Sequence, residues 1–147
     1  MAITPYLLYE DSGAALAWLA KAFGLRQSGH AMSGPDGRVN HASMRLGSAY
    51  IMLGSPGADY RNPKHLGHVT QNLYVDVANA DKHYARAVAA GATIIEEPTN
   101  TPYGHRRYGA EDLEGHRWYF AHEPKVPKRA KRKPRKKAKV KRRSKRR

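Results

Sequence analysis

The segment Tyr103-Gly104-His105-Arg106-Arg107-Tyr108 sets two guanidinium groups and two phenols around a glycine able to turn. That combination suits an anionic or aromatic small molecule, through bidentate hydrogen bonds and cation–π contact, although an exposed basic loop has the same composition. His41 is a second candidate. On a strand from Val39 to Leu46, alternation puts Val39, His41, Ser43 and Arg45 on one face and the more apolar Asn40, Ala42, Met44 and Leu46 on the other. The apolar set is the better floor for a helix, which leaves His41, Ser43 and Arg45 facing a cleft or solvent. By the same alternation Arg117 and Tyr119 share one face and Trp118 and Phe120 the other, so Tyr119 is the pocket candidate. His65 and His68 have the spacing of one helical face, but Pro63 and Gly67 argue for a loop. His83 and His122 read as solvated, His116 as packing, Trp18 and Phe23 as core. No Ser-His-Asp trio, phosphate-cradling glycine loop or acid–base carboxylate pair stands out. The absence of cysteine excludes disulfides, thiolate metal sites and a cysteine nucleophile.

These groups must be held by something, and the apolar patterning is that of an α+β chain. Ile3 to Tyr9 reads as a strand, Ala14 to Phe23 as a helix capped by Asp11 or Ser12 and ended by Gly24. Gln27 to Ser33, Val39 to Leu46 and Tyr50 to Leu53 read as strands, the first two joined by the turn Gly34-Pro35-Asp36-Gly37. Gly54 to Gly67, rich in turn residues, reads as a linker or mobile loop. The pattern then recurs. Leu73-Tyr74-Val75-Asp76 echoes Leu8-Tyr9-Glu10-Asp11 at an offset of 65, followed by a helix over Ala80 to Ala90 and strands at Thr93 to Glu96, Arg106 to Ala110 and Arg117 to His122. The expectation is two tandem βαβββ modules, at about residues 1–54 and 68–123 of a body spanning 1–124. Their curved mixed sheets would enclose a cleft, within one chain or across a dimer.

Four stretches in this order resemble the vicinal oxygen chelate superfamily of glyoxalase I, bleomycin-resistance proteins and extradiol dioxygenases, and within it the PhnB-like group. They are Leu8 to Asp11 running into Ala15 to Gly24, Gly37 to Ala42 continuing to Gly47 and Leu53, Leu73 to Ala92, and Tyr103-Gly104 through Asp112 to Trp118. The resemblance implies site positions near Thr4 to Tyr6, at Ile51 or Met52, near Gln71 or Asn72, and at Tyr119. Of these, Gln71 alone offers a ligand to a divalent ion, so the resemblance in fold does not bring a metal with it. The expected ligand-binding residues are Tyr6, His41, Met52, Gln71, Tyr103, Arg107 and Tyr119, around a small organic ligand and with no metal. Met52 would equally suit the core. Bleomycin-resistance-like members hold a ligand between modules, commonly in a homodimer. The alternative is a lyase or dioxygenase whose divalent ion is held by His41, Gln71 and a carboxylate such as Glu111.

Of the 147 residues, those from Lys125 to Arg147 include 16 Lys or Arg and no acid, while the body carries 11 basic and 12 acidic residues. Without an apolar period this tail is expected to be disordered and to bind nucleic acid non-specifically, through Lys128, Arg129, Lys131, Arg132, Lys133, Arg135, Lys136, Lys137, Arg142 and Arg143. A third reading makes this tail the function and the folded body a dimerising carrier. Lacking a charged leader or an 18-residue apolar run, the chain is expected to be cytoplasmic, with no membrane partner.

Overall fold

The computed structural model describes residues 1–125, so every tail residue assigned above to nucleic-acid binding lies outside the described residues. The elements run β1 (Tyr6–Leu8), α1 (Ser12–Phe23), β2 (Arg26–Gln27), β3 (Met32–Ser33), β4 (Val39–Leu46), β5 (Ala49–Gly54), α2 (Pro63–Leu66), β6 (Asn72–Asp76), α3 (Ala80–Ala89), β7 (Thr93–Asn100), β8 (Arg106–Glu111) and β9 (Arg117–His122). One mixed sheet has the order β1-β5-β4-β2, with β3 also on β4; the other has the order β6-β9-β8-β7. In each, the strand before the helix pairs in parallel with the module's last strand, β1 with β5 and β6 with β9. This is the βαβββ pattern twice. The expected strand over Gln27 to Ser33 is two short pieces either side of Gly29, whose φ of 72° breaks the ladder. Among the described residues, no helix is long and apolar enough to cross a membrane.

Local signals place the helices. The Asp11 carboxylate accepts from the Ala14 amide at 3.0 Å to cap α1, and Gly24, at φ 74°, ends it. Asn79 caps α3 in the same way. These caps are 68 residues apart, and at that spacing Ser12 and Leu19 fall on Ala80 and Ala87, all of them fully buried. The offset of 65 read from the sequence is therefore corrected by three residues. It matched Leu19 and Phe23, which are buried, with half-exposed Tyr84 and exposed Val88. The expected loop at His65 is also corrected: Asn62 caps a one-turn helix with Pro63 in its first turn and Gly67 at its end, an arrangement that both helix-breaking residues favour.

The two halves share one core. The Phe23 ring lies 4.7 Å from that of Phe120 and 5.5 Å from that of Trp118, so the end of α1 is sealed against the second sheet. His83, expected on the solvated side of α3, instead stacks 4.1 Å from Phe120, with Nε2 donating to the Phe23 carbonyl at 2.8 Å and Nδ1 accepting from the Tyr108 hydroxyl at 2.6 Å. Arg86 donates to the carbonyls of Ala20 and Lys21, so α3 closes the C-terminal end of α1. His122, also expected in solvent, accepts from the first amide of α3 at 2.9 Å. His116 packs on Tyr9 as expected, with ring centroids 4.8 Å apart.

Burial depresses the His83 imidazole below its ordinary 6.5. The unfolded chain then takes up this proton first, so the stability tied to neutral His83 is complete above 6.5 and is lost as pH falls through that value. Melting temperatures recorded between about pH 7.5 and 5.5 should fall more steeply for the wild type than for His83→Gln; parallel curves would refute the assignment.

Candidate ligand-binding site

Each sheet gives one face to the shared core. Leu7, Tyr9, Ala42, Met44, Ile51 and Leu53 are buried beneath α1, and Tyr108, Ala110, Trp118 and Phe120 beneath α3. Alternation then sends the intervening side chains to the opposite, open faces. On the first sheet this brings together Tyr6, His41, Ser43, Arg45, Tyr50 and Met52. His41 and Met52 stand where the sequence put them, beside Tyr6: Tyr6 and Met52 are register partners, and the Tyr6 hydroxyl is 3.1 Å from His41 Nδ1. Tyr50 donates to Ser43 at 2.9 Å, and the Arg45 guanidinium lies 4.8 Å from the centre of the Tyr50 ring.

The second open face is richer in polar contacts. Arg107 makes a bidentate pair with Glu96 at 2.7 and 2.8 Å, donates to the Tyr103 hydroxyl at 2.8 Å and lies 4.9 Å from the centre of the Tyr119 ring. The Tyr74 hydroxyl is 3.4 Å from that of Tyr103 and 2.9 Å from His105 Nδ1, while His105 Nε2 faces Glu123 at 3.6 Å. Tyr103, Arg107 and Tyr119 are thus brought together as expected. Glu96 holds the Arg107 charge above its ordinary value. Tyr74 is pushed up to about 12, by withdrawal of its hydroxyl from water first and by the neighbouring phenol second. Tyr103 is drawn below its usual value, chiefly by the hydrogen bond available from Tyr74 and then by the Arg107 charge.

Two glycines shape these faces. A Cβ on Gly54 would stand 2.6 Å from the Tyr6 hydroxyl, and one on Gly109 would stand 2.8 Å from Tyr119 Cε1. Both rings therefore lie flat on a neighbouring strand because that strand has no side chain there.

Sequence reasoning missed Tyr74, Glu96 and His105. At the corrected offset of 68 the counterpart of Tyr6 is Tyr74, which is the register partner of Tyr119 as Tyr6 is of Met52. Gln71 lies before β6, exposed, with no hydrogen bond placing it in the cluster, and Tyr74 is the β6 side chain that joins it. Aligning the helix caps rather than the apolar letters would have found it. The alternative ligand set is not assembled either: His41 is on the first open face, while Glu111 faces Arg117 on the second sheet at 3.4 Å. Among the described residues no three His, Cys, Asp or Glu side chains gather. The implied ligand positions hold phenols and a thioether, Tyr6, Met52, Tyr74 and Tyr119, which do not fit the His and carboxylate donors a divalent ion takes.

A cavity of about 1110 Å³ lies between the halves, lined by Ile3, Ile51, Val75, Lys82, His83 and Trp118 among others. Its walls are mainly apolar, with Arg45 and Tyr50 of the first open face and Tyr74 of the second also lining it, and His83 is already committed at both nitrogens. The open faces, with convergent phenols, imidazoles and a guanidinium, are the better candidate.

Residues 4–120 match the family described as the glyoxalase/bleomycin resistance protein/dioxygenase superfamily. An uncharacterised protein of Mycobacterium bovis is 30% identical over 122 residues, 80% of each chain. TioX of Micromonospora sp. ML1 is similar in structure at a TM-score of 0.66 and 31% identity, over 87% of this chain and 100% of that one. FosX of Listeria monocytogenes, a fosfomycin resistance protein solved with Mn(II) and sulfate, shares the fold at a TM-score of 0.61 and 12% identity, over 84% of this chain and 90% of that one.

Proposed function

Because the chain belongs to the glyoxalase/bleomycin resistance protein/dioxygenase superfamily, we propose that it is a small-molecule-binding protein. Its ligand, an aromatic organic molecule, is held between the first open face of one copy and the second open face of another. One observation carries this reading: each open face lies on the side of its sheet away from the shared core, yet exposes large aromatic side chains. Tyr6, Tyr74 and Tyr103 are 49%, 45% and 58% exposed, in a chain whose other tyrosines include the fully buried Tyr9 and Tyr108. Among the described residues, no hydrogen bond or ring contact joins the two faces within one chain. A second copy would bring them together, and β1 and β6, each paired on one side only, offer the edges for it. Aromatic rings and a guanidinium stacked on Tyr119 favour a flat ligand. The cationic tail would hold the protein on nucleic acid. A lyase or dioxygenase with His41, Gln71 and Glu111 as ligands is less well supported, since these three are not assembled.

The test is complementation between two broken copies. Tyr6→Ala and Tyr119→Ala, each on its own, should lower affinity for flat aromatic probes such as 1-naphthol by about tenfold or more, as expected for an anchoring aromatic. When the two are mixed and allowed to exchange, half of the dimers are mixed ones and each regains one intact site. About a quarter of the wild-type sites should then return in a fluorescence titration. No recovery, with exchange verified by mass spectrometry, would refute the two-copy site.

A further inference from the structure

We infer that the hydrogen-bonded chain on the second open face takes the proton from a bound weak oxygen acid, a phenol or an enol, and holds that ligand as its oxyanion. This rests on the ligand-binding reading above and specifies the class of ligand. The chain runs from Arg107 Nη1 to Tyr103 Oη at 2.8 Å, Tyr103 Oη to Tyr74 Oη at 3.4 Å and Tyr74 Oη to His105 Nδ1 at 2.9 Å, and beyond it the Glu123 carboxylate stands 3.6 Å from His105 Nε2, at ion-pair distance. The Glu123 carboxylate favours the tautomer with hydrogen on Nε2, which leaves Nδ1 to accept from Tyr74. Tyr103, more than half exposed, is the end of the chain that a ligand meets.

The transfer balances without any further reactant. The ligand O–H bond breaks and its electron pair stays on the ligand oxygen. That proton passes to Tyr103 Oη as the Tyr103 proton passes to Tyr74 Oη and the Tyr74 proton to His105 Nδ1. The result is a ligand oxyanion accepting from the Tyr103 hydroxyl, and an imidazolium facing Glu123. Arg107, donating to Tyr103 Oη, stabilises that oxygen while it carries negative charge. The longest link, between the two phenols, is of the kind that tightens once a ligand is bound.

Charge balance on the second open face, where the relay lies, favours a weak acid over a strong one. There Arg107 and Arg117 each already face a carboxylate, Glu96 and Glu111. A carboxylate ligand arriving as an anion therefore meets compensated cations. A neutral phenol gives up its proton to His105, so the new negative charge appears together with a new positive one a few atoms away.

The probe is 3-nitrophenol, added to the full chain in high salt to screen the tail, at about pH 7, where the free probe is protonated and an imidazole can still accept a proton. The bound probe should show the nitrophenolate band in the wild type. His105→Gln should still bind it, with affinity changed by less than about tenfold, but as colourless phenol; Tyr103→Phe, which also loses the hydroxyl that meets the ligand, should bind it more weakly and likewise colourless. A side chain that only shapes the pocket would alter affinity and leave the colour of the bound probe unchanged. Three results would overturn the inference: colourless binding to the wild type, colour retained by both variants, or no saturable binding. Recovery of 1-naphthol sites in the complementation test judges the ligand-binding reading separately, so the two failures are told apart.

Discussion

Deleting residues 125–147 is expected to abolish binding to duplex DNA while leaving the binding of small aromatic probes intact. The physical ground is the distribution of charge. The deleted stretch holds 16 of the 27 basic residues and none of the 12 acids, so the remaining body carries a net charge of about −1. A polyanion gains nothing from a body of that sign, whereas every phosphate neutralised by the tail releases condensed counterions. With about 6 to 10 such contacts, affinity of the full chain should drop about 10³ to 10⁵-fold between about 50 and 200 mM salt. Fluorescence anisotropy of a labelled duplex across that range measures it. A full chain with a flat salt dependence, or a truncated chain that keeps the steep one, would remove nucleic acid from the proposal. The tail has no aromatic residue to stack on bases, so sequence and strandedness should matter little. Every strand and helix described lies before residue 125, so the truncated chain keeps the elements that form both open faces.

The second large effect is on stability. Asp112 is 2% exposed and accepts from the Tyr9 hydroxyl at 2.7 Å, the Trp118 indole at 3.1 Å and the backbone amides of Glu114 and His116 at 3.0 Å. Desolvation pushes this carboxyl above its ordinary value, and the hydrogen bonds and His116 oppose that shift. Asp112→Ala removes the acceptor and strands the Tyr9 and Trp118 donors in the core. Losing hydrogen bonds to a charged group and leaving buried donors unpaired should cost about 3–5 kcal/mol. Urea denaturation followed by tryptophan fluorescence would show it, since Trp118 is a direct partner; a midpoint within error of the wild type would refute the assignment. The neighbouring Glu114 accepts from the amides of Glu10 and Asp11 and from the Asn62 side chain, which ties the linker and the first module to the second. Loss of Asp112 should therefore unfold both halves in a single transition.

Much of this protein is written in local signals that need no third dimension. Alternation along Val39–Leu46 and Arg117–His122 is a property of any strand, and it sends His41 and Tyr119 to the faces opposite the apolar ones without reference to packing. Asp11 and Gly24 bound α1 through contacts within a single helical turn. The charge of the tail is a matter of composition alone. What required the tertiary structure was every relation between segments distant along the chain. The correspondence of the halves turns on which helix positions are fully buried, and apolar letters mislead there because Val88 is apolar yet exposed and Tyr84 only half-buried. His83 looks polar on a helical wheel, but the end of α1 comes to rest against it and supplies a carbonyl for its Nε2. Glu96 and Arg107, eleven residues apart, meet because β7 and β8 pair, and Tyr74 reaches His105 because the loop before β8 folds back over β6. Local sequence decides the face to which a side chain points, because that depends on the backbone period. Which side chains it finds there depends on strand pairing and on the burial of a common core, and these are settled only when the whole chain packs.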